Sequence, residues 1–148
     1  MAIPALDAEG FLPVGVHDCE LEEIKDRFGV FSGSSRRPDL FSRLVAYFAE
    51  ARAAAIATSI IVDGSFVTAR TVPNDIDLVL VLKAGHDLTE DLNPADYNVV
   101  SRRRVHRQYG FDLLVAREGS AEHSRWIEFF QQVRLEPGRQ KGILNVRL

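Results

Sequence analysis

Residues 60–82 read IIVDGSFVTARTVPNDIDLVLVL, and this stretch decides the fold. Its first part belongs to a short run rich in β-branched residues, 58–62, which predicts a β-strand. A polar loop follows, and residues 76–82 predict a second strand. Because this second strand is continuously apolar from Val79 onward, we expect both of its faces to be covered.

Outward from this stretch, apolar periodicity predicts helices and further strands. The chain up to residue 17 reads as an extended lead-in, punctuated by proline and glycine. The predicted helices cover 18–29, 38–54, 93–109 and 122–133, and Asp18 is the expected N-cap of the first. The further predicted strands cover 111–116 and 143–148. The order α-α-β-β-α-β-α-β predicts an α/β (α+β) fold, a mixed β-sheet with helices packed against it.

The size and composition fit one such domain. The chain has 148 residues, of which 46% are hydrophobic and 26% are charged. We expect a single domain, 1–148, with a lead-in and short helix in 1–35 and the core in 36–148. The net charge of −3 argues against a nucleic-acid binder that acts through its overall charge.

Location is constrained by the cysteine count and by the apolar runs. A single cysteine, Cys19, excludes an internal disulfide framework and a zinc cluster. The N-terminus lacks the pattern of a signal peptide, and no apolar run approaches the ~20 residues of a membrane span. We therefore expect a cytoplasmic protein with no membrane partner.

Three carboxylates stand at the starts of predicted strands. Asp75 and Asp77 straddle Ile76, so strand periodicity turns both side chains to one face of the sheet. Asp112 begins the 111–116 strand and joins them if that strand lies beside 76–82. Such clustered carboxylates need a proton or a cation, and hard oxygen ligands favour Mg²⁺ or Mn²⁺.

Gly64 and Ser65 come just after the first strand, and nine residues separate Ser65 from Asp75. A glycine there allows close approach of the backbone to a phosphate, and the serine hydroxyl is a donor. The Gly-Ser, the spacer, the Asp-x-Asp and Asp112 together resemble the DNA polymerase β-type nucleotidyltransferase superfamily. The motif region covers residues 38–116.

The resemblance implies a role for each motif residue. Asp75 and Asp77, together with Asp112, are implied as divalent-metal ligands, and Gly64 and Ser65 as the residues that hold the nucleotide phosphates. Asp112 is also implied as the base that activates the attacking hydroxyl. The three aspartates are thus the expected catalytic residues.

Basic residues supply further candidates for nucleotide binding. Small members of the superfamily often carry an arginine directly after Gly-Ser; here Arg70 comes later. The run 102–107 holds four arginines and a histidine, and it fits either a phosphate or RNA contact, with Arg104 as the candidate, or a solvated basic face. Lys141 fits a phosphate contact or an exposed loop lysine.

The resemblance implies a Mg²⁺-dependent nucleotidyltransferase that moves a nucleotidyl group from a nucleoside triphosphate to a hydroxyl on a protein, an RNA or a small molecule. The chain lacks the large second domain that holds the acceptor in larger members, so a homodimer or a partner could complete the site.

An alternative is a non-catalytic regulator, such as an antitoxin-like protein with a cognate toxin in a toxin–antitoxin or phage-defence pair. A fold without any ligand is the third interpretation. The whole chain, with its lead-in 13–18 and its segment 141–144, further resembles a group of short bacterial proteins.

Overall fold

The computed structural model describes residues 3–86 and 92–148 and shows a mixed α/β fold. In these residues the strands are β1 (Gly15–Cys19), β2 (Ala57–Asp63), β3 (Asp77–Leu82), β4 (Asp112–Arg117) and β5 (Gly142–Arg147). The helices are α1 (Leu21–Phe28), α2 (Arg36–Ala54), α3 (Pro94–Val100), α4 (Arg102–Tyr109) and α5 (Ala121–Phe130), and a 3-10 turn covers Ser65–Val67. No helix among these is long and apolar enough to cross a membrane.

The described strands form one sheet in the order β1-β5-β2-β3-β4. β2 runs antiparallel to both β3 and β5, whereas β1 pairs with β5 and β3 pairs with β4 in parallel. The connection from β3 to β4 passes through α3 and α4, as a parallel pair requires. This confirms that the strand bearing Asp112 lies beside the strand bearing Asp77.

The two faces of the sheet are covered unequally. Helices α1 to α4 pack on one face, where alternate residues of β3 such as Leu78 and Leu80 join the larger core. Helix α5 packs on the other face against a smaller cluster that includes Val79 and Val81; we call this side the α5 face. The continuously apolar β3 is therefore covered on both faces, as predicted.

Helix α2 is the longest of the described helices and supplies much of the larger core. Leu40, Leu44, Phe48 and Ala51 recur at three- and four-residue intervals and are fully buried. Each such side chain contributes about 1.5–3 kcal/mol on burial, Ala51 less. The helix ends at Ala55, whose left-handed φ of 56° closes the last turn.

The expected helix start at Asp18 is wrong. Residues 15–19 instead form β1, because their backbone pairs in parallel with β5 and the side chain of Asp18 accepts a hydrogen bond of 2.9 Å from Asn145. The helix begins after Glu20, whose side chain forms a capping box with Glu23. The lead-in thus contributes a strand to the sheet rather than lying outside it.

The single helix expected over 93–109 is also wrong, because Ser101 divides it into α3 and α4. Its ψ of 107° is extended, and its side chain accepts a hydrogen bond from the Arg104 amide as the N-cap of α4. Helix α4 then ends at Gly110, whose φ of 79° suits glycine, and the chain turns directly into β4.

Candidate functional site

An open cleft of about 1080 Å³ lies at one end of the sheet, on the α5 face. The end of β2, the 3-10 turn and the start of β3 form its floor, where Asp63, Asp75 and Asp77 lie. One wall comes from the end of α5 and from residues 131–141, which we call the cleft hairpin. Its arms are joined by a bridge between Gln132 and Gln140.

Strand register aligns three carboxylates in a row that starts in the cleft floor. Asp63 on β2 pairs with Asp77 on β3, and Asp77 pairs with Asp112 on β4. Directly paired residues project their side chains to the same face, so the three carboxylates form a row over three adjacent strands. Asp77 and Asp112 were expected to meet; Asp63 was missed, although a charged residue ending the apolar run of β2 was a signal.

The fourth carboxylate, that of Asp75, is fixed by Ser65. The backbone amide and the hydroxyl of Ser65 both donate to Asp75 Oδ1, at 2.9 and 2.6 Å. The same hydroxyl accepts from the Asn74 amide at 2.9 Å. Ser65 therefore positions Asp75 in this structure, and its hydroxyl is engaged rather than free to donate to a phosphate.

Gly64 lets the loop after β2 lie against the start of β3. Its φ is 97°, and a Cβ at this position would lie 2.8 Å from the carbonyl oxygen of Asp75. The Phe66 amide donates to that same carbonyl at 3.2 Å. A side chain at residue 64 would thus clash with the backbone contact that holds the two aspartate-bearing segments together.

Lys141, the expected phosphate contact, forms an ion pair with Asp63. Both residues are buried, with 9% and 4% of their surfaces exposed, and the lysine Nζ donates directly to Asp63 Oδ1. Burial raises the pKa of the Asp63 carboxyl, and the Lys141 ammonium opposes that rise. The lysine thereby compensates one negative charge of the row from the base of the cleft hairpin.

Asp77 lies at the centre of the row, and the pKa of its carboxyl is strongly raised. Burial, followed by repulsion from Asp75, Asp63 and Asp112, raises its pKa from 3.8 to about 7. The charge of Arg134 on the cleft hairpin acts in the opposite direction. A carboxyl in such surroundings takes up either a proton or a cation near neutral pH.

Asp112 lies at the open end of the row. Its side chain is exposed, and its Oδ1 lies 3.5 Å from Nδ1 of His106 on α4. It is not among the residues that line the cleft itself. Its carboxylate is therefore accessible from solvent beside the basic helix α4.

Of the two arginines expected to bind the nucleotide, Arg70 lines the cleft and Arg104 does not. Arg70 lines the cleft, where its carbonyl oxygen accepts a hydrogen bond from the buried guanidinium of Arg37. Arg104 lies outside the cleft, because its guanidinium donates to both carboxylate oxygens of Glu50, at 3.0 and 2.8 Å. Arg134, which sequence reasoning did not single out, lies in the cleft wall.

The donor set suits a hard cation only in part. In residues 3–86 and 92–148, no group of three or more histidine, cysteine, aspartate or glutamate side chains is arranged to hold a metal ion. Asp63 is paired with Lys141, Asp75 is held by Ser65, and Asp112 points outward. The carboxylate oxygens of Asp75 and Asp77 nonetheless have the chemistry that Mg²⁺ and Mn²⁺ prefer.

Comparison with known proteins gives a family and no activity. No curated protein and no solved structure matches the chain. Residues 4–147 match the model of a family of unknown function, DUF6932. Since the match covers nearly the whole chain, the protein belongs to the family DUF6932.

Proposed function

We propose that the protein is a Mg²⁺- or Mn²⁺-dependent nucleotidyltransferase, which moves a nucleotidyl group from a nucleoside triphosphate to a hydroxyl acceptor. The observation that carries this proposal is the row of carboxylates on three adjacent strands, beside the Gly64–Ser65 turn. Four neighbouring aspartates, three of them in the cleft floor, are unfavourable without a compensating cation, and Lys141 compensates for one of them.

Asp75 and Asp77 are the residues that would hold the metal, with Asp112 able to join them from the neighbouring strand. A bound divalent ion supplies charge stabilisation for in-line displacement at phosphorus. The raised pKa of Asp77 fits this role, because a group that is hard to ionise beside other carboxylates gains most from a cation.

The other residues of the cleft have distinct roles. Arg70 and Arg134 both line the cleft and would bind the phosphates of the nucleotide. Gly64 lets the loop approach the start of β3, and Ser65 orients Asp75. Asp112, accessible from solvent, would accept the proton of the acceptor hydroxyl as its oxygen attacks.

Incubation with each of the four α-labelled nucleoside triphosphates, with Mg²⁺ or Mn²⁺, tests the proposal. We expect label to be transferred to an acceptor by the wild type and lost by a factor of about 100 or more in Asp77→Asn. Asp26→Asn is the matched control, because Asp26 is exposed on α1, outside the cleft. Equal transfer by Asp77→Asn and the control would refute the metal role.

A second candidate is a non-catalytic regulator, such as an antitoxin-like partner of a cognate toxin. Two observations favour it: the Ser65 hydroxyl is engaged within the loop, and the carboxylates of the described residues are not assembled into a metal site. Calorimetry with Mg²⁺ and a non-hydrolysable nucleotide separates the two functions. Binding of a co-encoded protein without nucleotide binding would support the regulator.

For either function we place the protein in the cytoplasm, in line with its free cysteine, Cys19.

A further inference from the structure

Helix α4 presents a positively charged surface that the nucleotide cleft does not use. Arg102, Arg103 and Arg107 are exposed on it, whereas Arg104 turns inward to Glu50. Within the described residues, none of the three exposed arginines has an ion pair, a side-chain hydrogen bond or a ring contact. We call these three the α4 arginines.

Two of these charges, those of Arg102 and Arg103, stand where they are unfavourable for the helix itself. Arg102 and Arg103 stand at its N-terminal end, where the helix dipole is positive, and the first turn holds no acidic residue. Arg103 and Arg107 are four residues apart, so their like charges repel on one face. Arg107 stands in the last turn, where the dipole favours a positive charge, but helix stability gives no reason for Arg102 and Arg103. A bound anion would relieve both unfavourable effects.

The α4 arginines lie next to the open end of the carboxylate row. Helix α4 runs through Gly110 directly into β4, which begins at Asp112. His106, between the α4 arginines in sequence, brings its Nδ1 to 3.5 Å from Asp112 Oδ1. A polyanion bound along α4 would therefore pass beside the carboxylate that we assign to the acceptor hydroxyl.

We propose that the α4 arginines bind the backbone of a single-stranded RNA, and that this RNA is the hydroxyl acceptor; the second part rests on the proposed nucleotidyltransferase function. The ribose hydroxyl oxygen forms a bond to the α-phosphorus of the nucleoside triphosphate. The bond from that phosphorus to the α,β-bridging oxygen breaks, and pyrophosphate leaves with its electron pair. The hydroxyl proton passes to Asp112.

The character of the surface favours RNA over an acidic protein. No large hydrophobic side chain of α4 is exposed, whereas the centre of a protein interface is usually apolar. Tyr97 is 54% exposed on α3, and its carbonyl oxygen accepts a hydrogen bond from the amide of Ser101, the N-cap of α4. An exposed aromatic ring beside positive charges is typical of surfaces that bind single strands through base stacking. With a net charge of −3, the protein concentrates this positive charge locally.

Fluorescence anisotropy with a labelled single-stranded RNA of about 20 nucleotides, without nucleotide or divalent metal, tests the surface. Three neutralised phosphates predict a slope of log affinity against log salt of about −2, so a fourfold rise in salt weakens binding about 15-fold. In R102E/R103E/R107E we expect affinity to fall at least about tenfold and the slope to approach zero.

The matched control is R117E/R125E/R147E, which changes the net charge equally. These arginines are exposed and form no ion pair in the described structure; Arg117 and Arg147 lie at the opposite end of the sheet from Asp112. Circular dichroism checks that both variants fold. Equal loss of RNA binding in both variants would overturn the assignment. It would also be overturned if polyglutamate of matched charge displaced the labelled RNA as effectively as unlabelled RNA does.

A second arm, with α-labelled nucleoside triphosphate and Mg²⁺, separates this surface from the reaction. Label on the RNA that is lost in R102E/R103E/R107E supports the acceptor role. RNA binding that depends on α4, with no label on any acceptor, would refute the transferase and support the surface. Label on another acceptor, without RNA binding, would leave the transferase standing and overturn the RNA assignment.

Discussion

Asp77→Asn should stabilise the protein at alkaline pH in the absence of divalent metal. The charge of Asp77 is disfavoured in the folded chain by burial and by neighbouring carboxylates, which raise its pKa from 3.8 to about 7. At 1.36 kcal/mol per pKa unit this shift corresponds to about 4 kcal/mol. Because Asp77 is only partly buried, solvent screening reduces the gain, and we expect about 2 kcal/mol.

The sign of this effect depends on pH. Below pH 3.8 Asp77 is protonated in both the folded and the unfolded chain, so the wild type and Asp77→Asn should be equally stable. Between pH 3.8 and about 7 the unfolded chain releases this proton while the folded chain keeps it, so wild-type stability falls as pH rises. Above about pH 7 the difference should be constant.

Urea unfolding in EDTA, at a series of pH values across this window, measures the difference in free energy of unfolding between the two proteins. Asp26→Asn is the control for loss of an exposed carboxylate and should leave the stability unchanged. Added Mg²⁺ should then stabilise the wild type and not Asp77→Asn, because a ligand bound only to the folded state raises its stability. An Asp77→Asn protein no more stable than the wild type at pH 8, or a difference that does not change with pH, would refute the reasoning.

Other substitutions test the surrounding contacts. Gly64→Ala should lower the free energy of unfolding in urea by about 2–3 kcal/mol, because residue 64 has a positive φ and a Cβ there would clash with the start of β3. Gly110→Ala, where φ is also positive but no atom lies close, should lower it by only about 1 kcal/mol. Lys141→Met should lower the free energy of unfolding by about 3–5 kcal/mol at neutral pH, because it leaves Asp63 buried without its partner. Adding Asp63→Asn should restore part of that stability. No recovery in the double variant would contradict the pairing. Arg102→Glu should raise the free energy of unfolding by about 0.3–1 kcal/mol at low salt, an effect that must shrink as salt is added.

The centre of the fold could be predicted because its signals are local. The apolar run of β3 shows that both of its faces are covered, and the spacing of Asp75 and Asp77 turns both to one side. The pairing of Asp77 with Asp112 followed once β3 and β4 were taken as neighbours. These features depend on periodicity within a few residues.

The features that sequence reasoning missed depend on partners far along the chain. Strand β1 is short and contains polar residues, and its pairing places Asp18 beside Asn145, 127 residues away. The partner of Lys141 is 78 residues away, so the sequence could not show that its charge is used within the protein. Glu50 likewise decides which arginine of α4 turns inward.

The order of the strands has a consequence during translation. Strand β5 comes last of the described strands in sequence, yet it lies between β1 and β2 in the sheet. Until residues 142–147 have left the ribosome, β1 has no partner and one edge of β2 is unpaired beside apolar residues such as Ile60 and Val62. The nascent chain therefore exposes an unpaired strand edge until these residues emerge, and we expect it to need chaperone protection most before that point.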